Sequence, residues 1–128
     1  MKPGLIISAA LVTLLAEWAI ANLALRITGV PKGFPPFTFL PILSGVAGGF
    51  FLASLAYAII RANFSQPQQS FLFVAVITLA VSFALPLRLS FTKSKRFAGV
   101  TPAAQITLVL MHSLVAAAAT IVLTRVPR

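Results

Sequence analysis

The chain has 128 residues, 59% of them hydrophobic and 9% charged, with ten Lys and Arg against a single acid for a formal net charge of +9. A soluble domain carries about a quarter charged residues and a disordered chain is poor in apolar ones, so this composition, with a mean hydropathy of +1.04, excludes both and leaves an integral membrane protein. Cysteine is absent, which removes disulfides, thiolate metal sites and iron–sulfur clusters.

The first apolar run, about Leu5 to Leu25, is long enough to cross a hydrocarbon core about 30 Å thick at about 1.5 Å per residue. It begins like a signal peptide, but Glu17 interrupts it and no small-residue cleavage site follows, so it reads as a retained span. The next segment, Thr28-Gly29-Val30-Pro31-Lys32-Gly33-Phe34-Pro35-Pro36-Phe37, has too many prolines for a regular helix and is expected to be extended or turned. Its phenylalanines are expected in the membrane interface. A second span is predicted over about 39–60, closed by Arg61, and a polar loop with Pro67 leads to a third over about 71–87. Pro86 near the end of that span leaves freed backbone groups close to the interface. The link from Arg88 to Phe97 holds Arg88, Lys93, Lys95 and Arg96 between apolar residues. It reads as a topology signal or as a stretch binding anionic lipid headgroups. The fourth span is predicted over about 103–123, with Arg125 closing it.

These runs predict one domain over residues 1–128, an all-α, four-helix transmembrane bundle with short loops. Lys2, Arg61, Arg125 and Arg128 fall on one side; Arg26, Lys32, Arg88, Lys93, Lys95 and Arg96 fall on the other. The bias slightly favours both termini outside. The cations sit at span ends, and no basic groove interleaved with aromatics occurs, so lipid rather than nucleic acid is the expected partner.

Glu17 is the only acid and His112 the only histidine, and each falls within a span. An ionisable group there faces protein or a water-filled cavity by default. Small residues Ala10, Thr13, Ala21 and Ala24 share the Glu17 face, which allows close helix approach. Glu17 lies 12 residues after Leu5 and His112 lies 11 residues before Leu123, ends that share a side in a four-span protein. The two side chains are therefore expected at one depth, about 16–18 Å in. As an intramembrane polar pair they would tie two helices together or couple a proton or cation; unrelated placement is the third alternative.

Other chemistry has little to build on. With no aspartate there is no Ser-His-Asp triad, and one carboxylate cannot serve glycosidic acid–base work. One His and one Glu fall short of a catalytic zinc set. His112 alone cannot provide two histidine ligands to haem; as a single axial ligand to a chlorophyll-type macrocycle it is chemically competent, but nothing in the sequence asks for one, and no cofactor is expected. On the second span Gly45, Gly49 and Ala53 recur every four residues beside Ser44 and Gly48. That ridge predicts helix packing, inside the bundle or against another subunit. Trp18 sits too deep for an interface belt, so a partner within the bundle is expected for its N–H.

Asn22-Leu23 followed by Thr28-Gly29-Val30, Ser82-Phe83-Ala84-Leu85-Pro86-Leu87, and above all Leu108-Val109-Leu110-Met111-His112-Ser113-Leu114-Val115-Ala116 resemble an uncharacterised family of small bacterial four-span membrane proteins. That resemblance covers nearly the whole chain and implies a four-helix fold, a membrane-embedded histidine and the bacterial inner (cytoplasmic) membrane, with no assigned activity. Leu15-Ala16-Glu17 and Leu55-Ala56-Tyr57 are similar in part to the small multidrug-resistance exporters. This second likeness implies a first-span glutamate that exchanges protons for a cationic drug in a dimer. The glycine-rich third span with a tryptophan, which those exporters carry, has no counterpart here.

The leading functional expectation is a non-catalytic accessory or scaffold subunit, in a larger membrane complex or a homo-oligomer. The alternatives are a proton-coupled small-molecule transporter using Glu17 and His112, and a membrane enzyme acting on a lipid or isoprenoid with the same two residues as acid and base.

Overall fold

The structure, a computed structural model, describes residues 3–88, 91 and 98–125. Helices α1 (Pro3–Ile27), α2 (Phe39–Asn63), α3 (Pro67–Ser82), α4 (Ala84–Leu87) and α5 (Pro102–Arg125) follow in chain order, with a 3-10 turn at Pro35–Phe37 before α2 and no strand among the described residues. α1, α2, α3 with α4, and α5 are each long and apolar enough to cross a membrane. The molecule is thus an all-α four-helix transmembrane bundle.

Side-chain size decides which faces of these apolar helices turn inward. α1 buries Thr13, Glu17, Ala21 and Ala24, a narrow stripe at helical spacing, and packs along α5 and α2. Its hydroxyl and amide groups close on their own helix, in the seam and outside it: Thr13 Oγ1 donates to Ala9 O at 2.7 Å, Ser8 Oγ to Gly4 O at 2.8 Å and Asn22 Nδ2 to Trp18 O at 2.8 Å. In hydrocarbon this local bonding stands in for water. α2 buries Ile42, Val46, Phe50, Tyr57 and Ile60.

The proline-rich link is where expectation and structure part. Phe34 and Phe37 are among the most buried side chains of the protein, at 2% and 1% exposure, with ring centroids 5.4 Å apart in an edge-on arrangement. The fixed φ of Pro35 and Pro36 starts a 3-10 turn, the turned one of the two expected conformations, and a 3-10 turn eclipses residues three apart. Both rings therefore point the same way, into the bundle, rather than into the interface. Gly29 (φ +76°) ends α1 in the left-handed region, while Thr28 Oγ1 donates to Ala24 O at 2.6 Å. Across the same end, Thr101 Oγ1 donates to Thr28 O at 2.6 Å and accepts the Ala104 N–H at 3.2 Å as a cap for α5. The main core consists of α1, α2 and α5 closed at this end by Val30, Phe34 and Phe37.

The third span is broken and only lightly attached. A turn at Phe83 separates α3 from α4, where Pro86 supplies no N–H to continue the ladder. The carbonyls of Pro86 and Leu87 are not left to the interface: buried Gln105 of α5 donates Nε2 to them at 3.0 and 3.3 Å. At the other end Gln68 Nε2 donates to Thr124 O at 2.7 Å. There Phe71, the one buried residue of α3, meets Tyr57 edge-on at 5.1 Å, in a smaller cluster with Ile60 and Leu123.

Candidate functional site

Glu17 and His112 stand on facing helices at one level. Each lies ten residues from the same end of the bundle, Glu17 from the last residue of α1 and His112 from the first of α5. At about 1.5 Å per residue both sit about 15 Å below the proline-rich cap. Both line one cavity of about 380 Å³. Pro35, Pro36 and Pro41 form its wall on the cap side, and Ile42, Val46, Leu108, Met111 and Val115 supply the apolar sides. Gly45 also lines it, is exposed, and would have nothing within 4 Å of an added Cβ. The cavity opens laterally past that glycine.

The two side chains differ in how they are satisfied. Glu17 is 2% exposed, and its Oε2 has no hydrogen-bond partner. His112 is half-buried, with Nδ1 2.8 Å from Leu108 O. A carbonyl only accepts, so Nδ1 carries the proton in this contact, and Nε2 is the ring nitrogen left to the cavity. No hydrogen bond joins Glu17 and His112; they share a cavity, Glu17 with an unpartnered oxygen and His112 with Nε2. His112 also lines a second, largely apolar cavity of about 380 Å³ among α2, α3 and α5, so it stands in the wall between the two. Ser113, adjacent in sequence, turns away and donates Oγ to Val109 O at 2.9 Å.

The small-residue ridge of α2 divides by role. Gly49 lies against α5, where an added Cβ would stand 3.0 Å from Val115 Cγ1, and half-buried Ala53 packs against both core clusters. Gly45 does not pack; it opens the cavity. Ser44 and Ala47 are exposed, and half-buried Gly48 has open space around its Cβ position. Of the cations expected at headgroups, Arg88 is exposed just after α4, while Lys93, Lys95 and Arg96 lie outside the described residues. Trp18 is 36% exposed on the outer face of α1 and meets Phe39 edge-on at 5.3 Å. Trp18 thus stands at the bundle surface against an aromatic ring, and not inside the bundle with the expected partner for its N–H.

The three cavity prolines and Gln105 were not legible as site or support residues. Their signal, a proline cluster followed by a helix start and one amide in an apolar span, becomes meaningful only when two distant segments meet. The chain matches no protein-family model, no curated protein and no solved structure.

Proposed function

We propose that this is a membrane transporter of the bacterial cytoplasmic membrane that takes a small, mostly apolar solute carrying a hydrogen-bond-donating cationic group, and exchanges it for a proton at Glu17. The observation that carries this reading is the Glu17 carboxyl, buried, without a partner for Oε2, and lining a laterally open cavity. A buried carboxylate with no counter-charge is costly in a membrane, whereas a proton or a bound cation relieves it. The cavity's apolar sides suit the rest of the solute, and the imidazole of His112 lines the same space. Glu17 and His112 are the titratable residues of the cavity lining, so a proton and a cation would compete for the same carboxylate.

Benzylamine and its uncharged isostere ethylbenzene make the test, with binding followed by saturation-transfer NMR on the protein in nanodiscs and empty nanodiscs as reference. A hydrogen bond to a charged group contributes about 1.5–3 kcal/mol. Benzylamine should therefore bind about tenfold or more tightly than ethylbenzene, Glu17→Gln should erase the difference, and lowering the pH should weaken amine binding alone. Equal binding of the two probes, or an amine preference that survives in Glu17→Gln, would overturn the reading.

A second reading, an accessory subunit or a homo-oligomer, draws support from the outward Ser44, Gly45, Ala47 and Gly48 surface of α2, which would admit another helix closely. The particle mass after mild-detergent extraction separates the two: a large assembly favours the accessory role, and one or two chains favour transport.

A further inference from the structure

A third concavity lies between α3 and α5, of about 460 Å³, and it shares no lining residue with the Glu17 cavity. Most of its polar groups gather at one end. Gln68, Gln69, Thr124 and Arg125 line the mouth, Thr120 lies one turn below, and past it the walls are mostly apolar, Leu72, Val76 and Leu79 on α3 facing Ala116 and Ala117 on α5. Along α5 the lining extends from Arg125 to Ser113, about 18 Å at 1.5 Å per residue. That is a little over half of a hydrocarbon core about 30 Å thick, the depth one acyl chain reaches from its own leaflet. At the deep end Ser113 Oγ is engaged with its own helix, so that end presents no hydroxyl donor.

Charge completes the picture at the mouth. Arg125 is exposed. The chain's only side-chain carboxylate, Glu17, lies at mid-depth in another cavity, so it does not neutralise Arg125. Arg61, at the same end of the bundle, is stacked over the Tyr57 ring at 5.9 Å. The Gln68-to-Thr124 hydrogen bond fixes α3 to α5 at the mouth, while below Phe71 α3 buries nothing against its neighbours. The groove is therefore shaped for a headgroup anion above and hydrocarbon below.

We infer that this groove holds an anionic glycerophospholipid, its phosphate on Arg125 and one acyl chain along α3 and α5, as a bound lipid that completes the packing of the third span. The test is native mass spectrometry of the protein released from nanodiscs made of equal phosphatidylglycerol and phosphatidylcholine with matched chains. One Arg at an anionic surface contributes about 1 kcal/mol, or about fivefold. The parent chain should retain phosphatidylglycerol over phosphatidylcholine by about that factor. Arg125→Gln should lose the preference, Arg125→Lys should keep it, and Arg61→Gln should leave it unchanged. Ala117→Leu, which narrows the groove, should lower retention of both lipids without altering their ratio. Equal retention of the two lipids by the parent, or a preference that survives Arg125→Gln, would overturn the inference. So would retention of glycerol phosphate as strong as that of the intact lipid, which would reduce the site to an anion site without a chain.

Discussion

α1 and the third span, α3 with α4, are both apolar enough to cross a membrane, yet they sit in the bundle in opposite ways. α1 buries four residues, Thr13, Glu17, Ala21 and Ala24, none of them a large aliphatic. The third span, the more apolar of the two, buries Phe71 alone on α3 and exposes Leu72, Phe73, Val74, Val76, Ile77 and Val81 there. In water the ranking would be reversed, because burial follows apolar area. In lipid the tails are as apolar as leucine, and helices associate through close backbone approach and hydrogen bonds. Apolar content decides whether a segment enters the membrane; small and polar residues decide where it packs.

The largest expected effect tests the α1 side of this contrast. Ala21 is 0% exposed within the main core. Ala21→Leu, which makes α1 more apolar, should destabilise the protein by about 1–3 kcal/mol, the usual cost of overpacking. An SDS titration of the unfolding transition in mixed micelles measures it. A neutral or stabilising outcome would mean that apolar area drives this bundle after all.

The same contrast explains how much was legible beforehand. Four spans could be read because twenty-odd apolar residues admit little else in a bilayer. The shared level of Glu17 and His112 could also be read, since antiparallel helices of known rise fix depth by counting. The fates of Phe34 and Phe37 could not. The sequence sets these rings among prolines and glycines beside a span, which is also how interface anchors look, and only the 3-10 turn sends them inward. The break at Phe83 was equally hidden: Pro86 signals an interruption, but its support comes from Gln105, 19 residues away. Nor did the spacing of Gly45, Gly49 and Ala53 distinguish a packing glycine from one that opens a cavity. That distinction depends on whether Val115 of α5 or the cavity faces each position.

Gln105→Leu probes the α3 side with an intermediate effect. It removes the Nε2 donor that serves the carbonyls of Pro86 and Leu87 and leaves the side-chain volume nearly unchanged. Hydrogen bonds between membrane helices contribute about 0.6 kcal/mol on average and about 1.7 kcal/mol at most. The loss should lie in that range and should appear first as faster amide exchange near α4, with α1 still protected. Exchange that rises equally in α1 and α4 would contradict the picture of a third span attached at its ends.

The smallest effect is expected where a water-soluble protein would show a large one if the ring were buried. Phe73 is 68% exposed on α3, and in the bilayer that exposure is to acyl chains. Truncating a core phenylalanine costs about 3–5 kcal/mol, because transfer energy and cavity energy are lost together. For Phe73 neither term applies: the ring contacts hydrocarbon before and after helix separation, and lipid flows into the space that a shorter side chain leaves. Phe73→Ala should therefore shift the SDS transition by no more than about 0.5 kcal/mol, the range of substitutions away from packed features. A loss of several kcal/mol would mean that this face of α3 is covered by protein in the membrane. The α2 surface of Ser44, Gly45 and Gly48 would then cease to be the leading candidate for contact with a second copy, and the outer face of α3 would take its place.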